Sequence, residues 1–328
     1  MTAHSLKGVK VFVTGINGFI GSHLGTRLLK EGARVFGLVR RGADLWRIAG
    51  INEEIALVTG DLRDRDGIRR ALREIKPEVI FHLAGLVDVS RSFDLIDGMV
   101  EINVHGTMAV IRALKNLEYR CFINTGASEE YGNGPAPFRE DQTPAPVSPY
   151  SAAKACATTI CQMLYKGLGL PLLTLRPFNT YGPKQTNDML IPYSIRKVLA
   201  GEPIKMTKGE QTRDFVFVDD VVEAFILAAQ KKEALGEIIN IGTGEEHRIR
   251  DVVEKIVKMA RSTSRVEFGA LPYRAGEAMR FFSDSSKAQR LLGWVHKVPL
   301  EEGLRKTIDW FREELDKGPK GKTAGHGR

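Results

Sequence analysis

The sequence predicts an α/β protein built on a doubly wound parallel sheet, with a smaller α/β lobe in the C-terminal half. Over residues 9–125, short β-branched runs alternate with longer amphipathic segments. A glycine-rich turn follows the first of these runs, where a strand of such a sheet leads into a helix. After residue 178 the alternation becomes irregular, which is typical of a separate lobe appended to the sheet.

The first half of the chain supplies most of the predicted sheet. Strands are predicted at residues 9–14, 34–39, 55–58, 79–82 and 120–125, and helices at residues 19–31, 43–49, 64–75 and 95–117. Helical stretches of this length between strands form βαβ crossovers, so the strands are expected to run parallel. The next segment, residues 128–148, is rich in glycine and proline and predicts a long loop of the kind that carries function.

The second half begins with a helix that has a clear start signal. Ser148 is the predicted N-cap and Pro149 the first helical residue of a helix at residues 149–167. The elements predicted after it are strands at residues 172–175, 215–218 and 237–241, and helices at residues 191–199, 219–230, 250–260 and 300–315.

The composition restricts the class of protein. With 328 residues, 43% of them hydrophobic, the chain can bury a large core and is not wholly disordered. No apolar run approaches the ~18 residues that span a bilayer, and no apolar signal segment precedes the first strand, so a cytoplasmic protein without membrane contact is expected. Its three cysteines fit neither a disulfide framework nor metal-ligand spacing, so buried thiols and no bound metal are expected.

The net charge of +8 would suit a polyanionic partner such as a nucleic acid. Part of this charge lies in residues 317–328, which hold four basic residues and no acid and, with their glycines, predict a disordered basic tail. Acidic and basic residues are intermixed elsewhere. A small anionic ligand therefore explains the charge balance as well, and a nucleic-acid partner is not expected.

The turn after the first strand has the spacing of a dinucleotide-binding site in a Rossmann-type sheet. Its three glycines let the backbone turn tightly, approach a diphosphate and pack the helix on the strand. The anion then lies at the helix N-terminus, where free N–H groups and the helix dipole favour negative charge. The residues predicted to contact a dinucleotide here are Gly15, Asn17, Gly18, Phe19, Ile20 and Gly21.

The end of the second strand indicates which dinucleotide binds. NAD sites usually have an acidic residue at this position, whereas arginine favours the 2′-phosphate of NADP. The chain has Arg40 and Arg41 there, and guanidinium groups form charge-assisted bonds to phosphate. NADP(H) is therefore the favoured cofactor, with NAD(H) possible if the two arginines form only a solvated basic turn.

A tyrosine and a lysine lie near the start of the helix at residues 149–167. Tyr150 and Lys154 are four residues apart and so share one helix face. A free phenol has a pKa near 10 and transfers protons poorly at neutral pH. A neighbouring ammonium group favours the phenolate, so Lys154 is expected to lower the pKa of Tyr150 and make it a catalytic acid or base.

With these residues in place, the chain resembles the extended short-chain dehydrogenase/reductase superfamily. The resemblance is to its NAD(P)-dependent nucleotide-sugar epimerase, dehydratase and reductase branch, especially the GDP-4-keto-6-deoxymannose reductases and GDP-mannose 4,6-dehydratases. It covers nearly the whole chain. The motifs that carry it are TGINGFIG (14–21), GDLRD (60–64), FHLAG (81–85), NVHGT (103–107), SEEYG (128–132), SPYSAAK (148–154), RPFNTYGP (176–183), RDFVFVDD (213–220), NIGTG (240–244) and YRAGE (273–277).

The resemblance implies roles for individual residues of this chain. Tyr150 would give or take the proton at the reacting sugar oxygen, and Lys154 would hold the nicotinamide ribose. The other implied cofactor contacts are Asp61 and Leu62 beside the adenine, Leu83, Ala84 and Gly85 along the dinucleotide, and Pro177 near the nicotinamide. The implied substrate contacts are Asn179, Arg213 and Arg274, of which the arginines would bind the diphosphate.

The chain departs from the family pattern at one catalytic position. The family usually has Ser or Thr four residues before the tyrosine of the Tyr-Gly pair, and this chain has Ala127 there. Either Ser128 or Thr125 is expected to supply the missing hydroxyl. Glu129 stands where dehydratases have the glutamate that removes the C5 proton, but the SEEYG stretch also occurs in 4-keto-6-deoxymannose reductases, so Glu129 does not separate the two activities.

Together these residues predict an NADP(H)-dependent oxidoreductase acting at C4 of a nucleoside-diphosphate sugar, with a 4-keto-sugar reductase as the main prediction. A redox-neutral 4-epimerase and a 4,6-dehydratase are the alternatives within this class. A non-catalytic, cofactor-bound sensor is the alternative outside it, because Ala127 lacks a hydroxyl.

The resemblance also predicts how the chain is divided and assembled. Residues 1–178 would form the NAD(P)-binding domain, with a returning segment near residues 212–242. Residues 179–316 would form an interleaved nucleotide-sugar-binding lobe, followed by the basic tail. The helices at residues 95–117 and 149–167 would pair with those of a second copy in a homodimer.

Overall fold

A seven-stranded parallel sheet lies at the centre of the protein in the computed structural model, which describes residues 5–316. Its strand order is β3-β2-β1-β4-β5-β6-β11, and every neighbouring pair is parallel. This confirms the predicted fold class. The strands are β1 (Lys10–Thr14), β2 (Arg34–Val39), β3 (Ala56–Thr59), β4 (Val79–His82), β5 (Cys121–Thr125), β6 (Leu172–Pro177), β7 (Asn179–Tyr181), β8 (Ile204–Met206), β9 (Thr212–Arg213), β10 (Phe215–Phe217), β11 (Ile238–Ile241), β12 (His247–Arg248) and β13 (Val266–Phe268).

Ten α-helices belong to the described part of the chain, and they cover both faces of the sheet and build the second lobe. They are α1 (Phe19–Lys30), α2 (Arg65–Ile75), α3 (Ile96–Met99), α4 (Gly106–Ala113), α5 (Pro149–Leu168), α6 (Leu190–Leu199), α7 (Val218–Gln230), α8 (Ile249–Ala260), α9 (Ser286–Leu292) and α10 (Leu300–Asp316). None of the helices within residues 5–316 is long and apolar enough to cross a membrane.

Successive side chains of β1 point to opposite faces of the sheet, which explains why the sheet has a hydrophobic layer on each face. Val11 and Val13 point into the layer that α1 and α7 cover, whereas Phe12 points into the layer that α2 and α4 cover. All three side chains are fully buried. Since both faces are covered, the strands are apolar on both sides, as parallel sheets require.

A separate hydrophobic cluster holds the second lobe together, with α6, α8 and α10 packed around short strand pairs. The pairs are β7 with β10, β8 with β13, and β9 with β12. Within this half of the chain, strand β11 returns to the main sheet and pairs with β6. This is the region where the sequence predicted a returning segment. The exact domain boundaries stay a prediction, and the predicted basic tail lies outside the described residues.

Three local predictions are corrected by the structure. The helix predicted at residues 95–117 is interrupted by a π-helical segment, Val100–His105, and α4 ends at Ala113 because the chain turns there. The helix predicted at residues 43–49 is only a 3-10 turn, Trp46–Ile48. Cys156 lies on the exposed side of α5, although Cys121 and Cys161 are buried as expected.

A buried ion pair joins the segment after β5 to β6. Glu130 and Arg176 are 0% and 1% exposed, and Glu130 Oε2 accepts hydrogen bonds from Arg176 Nη2 (2.7 Å) and Nε (3.0 Å). Glu130 Oε1 accepts from the Ala127 backbone N–H (2.8 Å) and the Thr158 hydroxyl (3.1 Å). The carboxylate therefore connects β5, β6 and α5 at one point, and its charge is compensated by short charge-assisted bonds.

We expect Glu130→Gln to lower the free energy of unfolding by about 3–5 kcal/mol, because it leaves the Arg176 charge buried without a carboxylate. Urea denaturation of the wild type and the variant measures this difference. Glu302→Gln is the matched control, since Glu302 pairs with Lys306 on the surface, where both side chains are 47% exposed. The control should lose at most about 0.5 kcal/mol, and equal losses for the two variants would contradict the prediction.

Candidate active site

The glycine-rich turn between β1 and α1 leaves no room for larger residues. Gly15 has φ +72°, and a Cβ there would lie 2.8 Å from the Ala84 backbone nitrogen. A Cβ on Gly21 would lie 2.0 Å from the Gly15 carbonyl oxygen. The turn thus packs directly against the end of β4 and aims the N-terminus of α1 at open space, which is the cradle a diphosphate requires. The residues present fit a dinucleotide.

A cleft of about 520 Å³ opens at the carboxyl end of the sheet, beside this turn. Crevices at this edge of a doubly wound sheet are where ligands bind. The predicted site residues that line it are Gly15, Gly18, Phe19, Ile20, Gly21, Leu83, Gly85, Thr125, Glu129, Tyr150, Lys154, Pro177 and Asn179. The predicted site residues outside its lining are Asn17, Arg40, Arg41, Asp61, Leu62, Ala84, Ser128, Arg213 and Arg274.

Helix α5 places both Tyr150 and Lys154 in the cleft, and its start is as predicted. The Ser148 hydroxyl accepts a hydrogen bond from the Ser151 N–H, with Pro149 in the first turn. Lys154 Nζ donates to the Thr125 carbonyl oxygen (2.8 Å). Burial lowers the pKa of Lys154 to about 8, with a smaller opposing effect of Glu130.

The expected lowering of the Tyr150 pKa is wrong for the chain by itself. Burial is the main cause that raises the pKa above its ordinary value of 10, and the charges of Glu129 and Glu130 raise it further. The Lys154 ammonium instead bonds to the Thr125 carbonyl at the end of β5. Tyr150 is therefore a neutral phenol that can donate a proton, and accepting one requires additional positive charge in the cleft.

The structure separates the two candidates for the hydroxyl that Ala127 lacks. Thr125 lines the cleft, and its buried Oγ1 has no hydrogen-bond partner among the described residues. Ser128 is buried away from the cleft, and its Oγ donates to Glu129 Oε2 (3.3 Å). Ala127 itself packs against Tyr150. Of the two candidates, Thr125 is thus the cleft-lining residue with an unpaired hydroxyl in the described chain.

Glu129 reaches the cleft from the 3-10 turn Ser128–Tyr131. Burial raises its pKa, although the Ser128 hydroxyl and the Arg213 charge act in the opposite direction. A carboxyl group with a raised pKa in a cleft can act as a general acid or base. Because the same turn holds Glu130 in its ion pair, the two adjacent glutamates have different environments.

The predicted substrate residues lie where the second lobe meets the sheet. Arg213 is ion-paired with Glu277, and its Nη1 donates to the carbonyl oxygens of Thr212 (2.7 Å) and Ala278 (2.9 Å). Arg274 is exposed, and its charge acts on Arg213. Asn179 Nδ2 donates to the Asp214 carbonyl oxygen (3.2 Å). A substrate phosphate would have to compete with Glu277 for Arg213.

The predicted adenine side of the cofactor site lies at the end of β2 and β3. Asp61 accepts two hydrogen bonds from the Arg63 guanidinium (2.9 and 2.7 Å), which together with the Arg40 charge lower its pKa to about 2. Arg40 and Arg41 are both exposed. Leu62 is buried in the layer with α4, where it packs against Gly106.

Comparison with known proteins agrees with this geometry. A family model described as GDP-mannose 4,6-dehydratase matches residues 12–307. The chain belongs to this family. A UDP-glucose 4-epimerase of Mycolicibacterium smegmatis is 35% identical over 93% of this chain and 99% of that protein. A dTDP-glucose 4,6-dehydratase of Xanthomonas campestris is 32% identical over 91% of this chain and 92% of that protein.

Solved structures of family members have the same fold over nearly their whole length. A UDP-glucuronic acid 4-epimerase from Bacillus cereus, solved with UDP-glucuronic acid and NAD, is 30% identical with a TM-score of 0.85, covering 93% of this chain and 100% of that one. The family assignment confirms the predicted resemblance. It also confirms that the chain is an NAD(P)-dependent nucleotide-sugar enzyme acting at sugar C4, without deciding which reaction it catalyses.

Arg47 is a cleft residue of this family member that the sequence did not indicate. It lies in the 3-10 turn between β2 and β3, at a position that no motif covers, and its place in the cleft depends on contacts with the distant second lobe. Asn103, by contrast, lies within a motif, in the π-helical segment. Its side-chain amide accepts a hydrogen bond from the Leu86 N–H and donates one to the Leu86 carbonyl oxygen.

We expect wild-type stability to rise relative to that of Lys154→Met as the pH increases from about 8 to 10. The pKa of Lys154 is about 8 in the folded chain and 10.5 ordinarily, so the unfolded chain binds more protons in this window. The slope is at most about 1.4 kcal/mol per pH unit. Urea denaturation across this range measures it.

Lys166→Met, on the exposed side of the same helix, is the matched control and should track the wild type. A Lys154→Met variant whose stability follows the wild type across the same pH range would contradict the low pKa.

Proposed function

We propose that the protein is a redox-neutral 4-epimerase of a nucleoside-diphosphate sugar. The observation that carries this proposal is the cleft itself, which brings Tyr150, Lys154 and Thr125 beside the glycine-rich turn. Support comes from the epimerases among its relatives, which match it along nearly their full length. Since a glutamate also lies in the cleft, dehydration is the second candidate.

Three side chains would act on the sugar C4 oxygen and its surroundings. Tyr150 would exchange a proton with the oxygen, and Thr125 Oγ1 would form a hydrogen bond to it, which satisfies a hydroxyl that is otherwise unpaired in the described chain. The remaining Lys154 N–H groups would hold the ribose of the dinucleotide next to Tyr150. A bound nicotinamide dinucleotide would supply the acceptor and donor of the electron pair at C4.

Two observations weaken the support for the 4-keto reductase that the sequence predicted, whereas the epimerase is supported by the relatives. The reductase prediction depended on Arg40 and Arg41, which are exposed and outside the cleft lining. It also depended on the SEEYG motif, but the second glutamate of that motif, Glu130, is buried in an ion pair. A motif that is used for packing carries little information about the reaction.

The 4,6-dehydratase is the second candidate because of Glu129. This carboxyl group lines the cleft, and its raised pKa suits a group that moves a proton at a carbon next to C4. Dehydration is ranked second because the UDP-glucose 4-epimerase relative is 35% identical to this chain and the dTDP-glucose 4,6-dehydratase relative 32%.

The proposed cofactor is a nicotinamide dinucleotide, and NAD(H) suits a redox-neutral reaction. Arg40 and Arg41 still favour the 2′-phosphate of NADP(H) on charge alone. Titration of the protein with both dinucleotides decides between them, because equal affinities would remove the NADP(H) preference.

We further propose a homodimer formed through α5. The outward face of this helix carries an uncharged stripe of exposed residues at helical spacing, namely Ala152, Cys156, Thr159 and Met163. Such small and apolar side chains allow a second helix to approach closely. Sedimentation that shows only a 36.4 kDa species would refute this homodimer.

The cytoplasmic location of the protein stays a prediction.

Purified protein with NAD should interconvert UDP-glucose and UDP-galactose without net change in nicotinamide absorbance, as followed by NMR of the sugar. Tyr150→Phe should lower kcat by about two to four orders of magnitude, because the proton at C4 has no carrier. Its dissociation constant for NADH should stay within about threefold of the wild-type value.

Other outcomes of this assay identify other functions. Net consumption of NADPH with a 4-keto sugar would support the reductase, and loss of water from the substrate would support the dehydratase. A protein that binds the dinucleotide but changes none of these sugars, with Tyr150→Phe indistinguishable from the wild type, would support the sensor.

Thr125→Val should lower kcat by about two to three orders of magnitude with little change in NADH affinity, because it removes the hydroxyl proposed to form a hydrogen bond to the reacting oxygen. Ser128→Ala is the matched control, since it removes a nearby hydroxyl that does not line the cleft. The control should keep most of its activity. A larger loss in Ser128→Ala than in Thr125→Val would show that the hydroxyl comes from the other residue.

A further inference from the structure

The 3-10 turn between β2 and β3 contributes an arginine to the lining of the cleft. Arg47 lines the cleft together with Gly15, Gly18 and Lys154. The segment that carries it is tied to the glycine-rich turn, because Asn17 Nδ2 donates to the Asp44 carbonyl oxygen (3.1 Å). The segment that carries Arg47 is therefore joined directly to the loop that would cradle a diphosphate.

Two reciprocal hydrogen bonds fix Arg47 to the second lobe. Arg47 Nε donates to the Lys184 carbonyl oxygen, and Lys184 Nζ donates to the Arg47 carbonyl oxygen, both at 2.8 Å. Lys184 adopts a left-handed backbone (φ +67°), which is uncommon outside glycine and indicates that the surrounding contacts fix this position. The two residues are 137 positions apart in sequence, so this contact joins the β2–β3 connection to the second lobe.

The Arg47 guanidinium is influenced by the charge of Asp44, three residues away, but is not ion-paired with it. Within residues 5–316 it has no ion pair, and its two Nη atoms have no hydrogen-bond partner. Its guanidinium lies over the Trp46 ring (4.5 Å), which in turn stacks on Trp310 of α10. Stacking holds the planar group in one orientation and leaves its outer N–H donors free for an anion.

We propose that Arg47 binds the diphosphate of the dinucleotide cofactor, with Lys184 as the positioning residue that holds it over the glycine-rich turn. This rests on the proposed function, since it assumes that a dinucleotide occupies the cleft. A paired guanidinium and helix N-terminus would bind the two phosphates from opposite sides. The nucleotide-sugar substrate also contains a diphosphate, and the tie through Asn17 favours the dinucleotide.

Calorimetric titration of the full chain with NADH, ADP-ribose, adenosine and UDP tests the proposal. Arg47→Gln should weaken binding of NADH and ADP-ribose by about 10- to 100-fold, since it removes charge-assisted bonds to phosphate. Adenosine, which has no phosphate, and UDP, which represents the substrate, should bind within about twofold of the wild type.

Arg34→Gln is the matched control, because it removes the same charge from an exposed position at the opposite end of β2, and it should leave all four affinities unchanged. Arg47→Lys keeps the charge without the planar guanidinium group and should give an intermediate loss of NADH affinity. This graded loss would show that the effect of Arg47→Gln does not come from misfolding. For the positioning role, Lys184→Ala should weaken NADH binding about 3- to 10-fold and Lys184→Arg should restore it.

Unchanged NADH affinity in Arg47→Gln, or an equal loss for adenosine, would overturn the proposal. A loss for UDP alone would assign Arg47 to the substrate diphosphate instead and would equally overturn it. If the wild type does not bind NADH at all, the proposed function is refuted, and this inference with it. If the wild type binds NADH and Arg47→Gln binds it equally well, only the inference is refuted.

Discussion

The ion pair between Glu130 and Arg176 is the interaction on which the active-site geometry depends. It is fully buried, and its carboxylate also binds the Ala127 N–H and the Thr158 hydroxyl. A charge in such an environment is tolerable only when every hydrogen-bonding position of the carboxylate is used. The segment after β5 can therefore adopt one arrangement relative to β6 and α5, and this arrangement places Thr125 and Glu129 in the cleft.

Burial also determines the protonation of the groups that line the cleft. Burial disfavours whichever form is charged, so it lowers the pKa of Lys154 and raises those of Tyr150 and Glu129. The chain alone thus presents a neutral phenol and a lysine that loses its proton easily. A charged ligand in the cleft would change these balances, so binding and proton transfer are coupled through electrostatics.

Local sequence patterns predicted the sheet and the ends of its helices because these depend on short-range physics. The alternation in β1, the Ser148 N-cap and the glycines of the first turn each act within a few residues. The prediction failed where long-range contacts override local preference. The helix expected at residues 95–117 contains a π-helical segment, which lets Asn103 brace Leu86 across the fold.

The sequence by itself determined the fold class, the family and the position of Tyr150 and Lys154 on one face of one helix, because spacing along one strand, turn or helix fixes these features. Only the tertiary structure decided that, among the described residues, the Thr125 hydroxyl is unpaired whereas the Ser128 hydroxyl donates to Glu129. It also decided that Arg47 lines the cleft. Both depend on contacts between residues far apart in the chain, and the order of the residues does not encode such contacts in any local pattern.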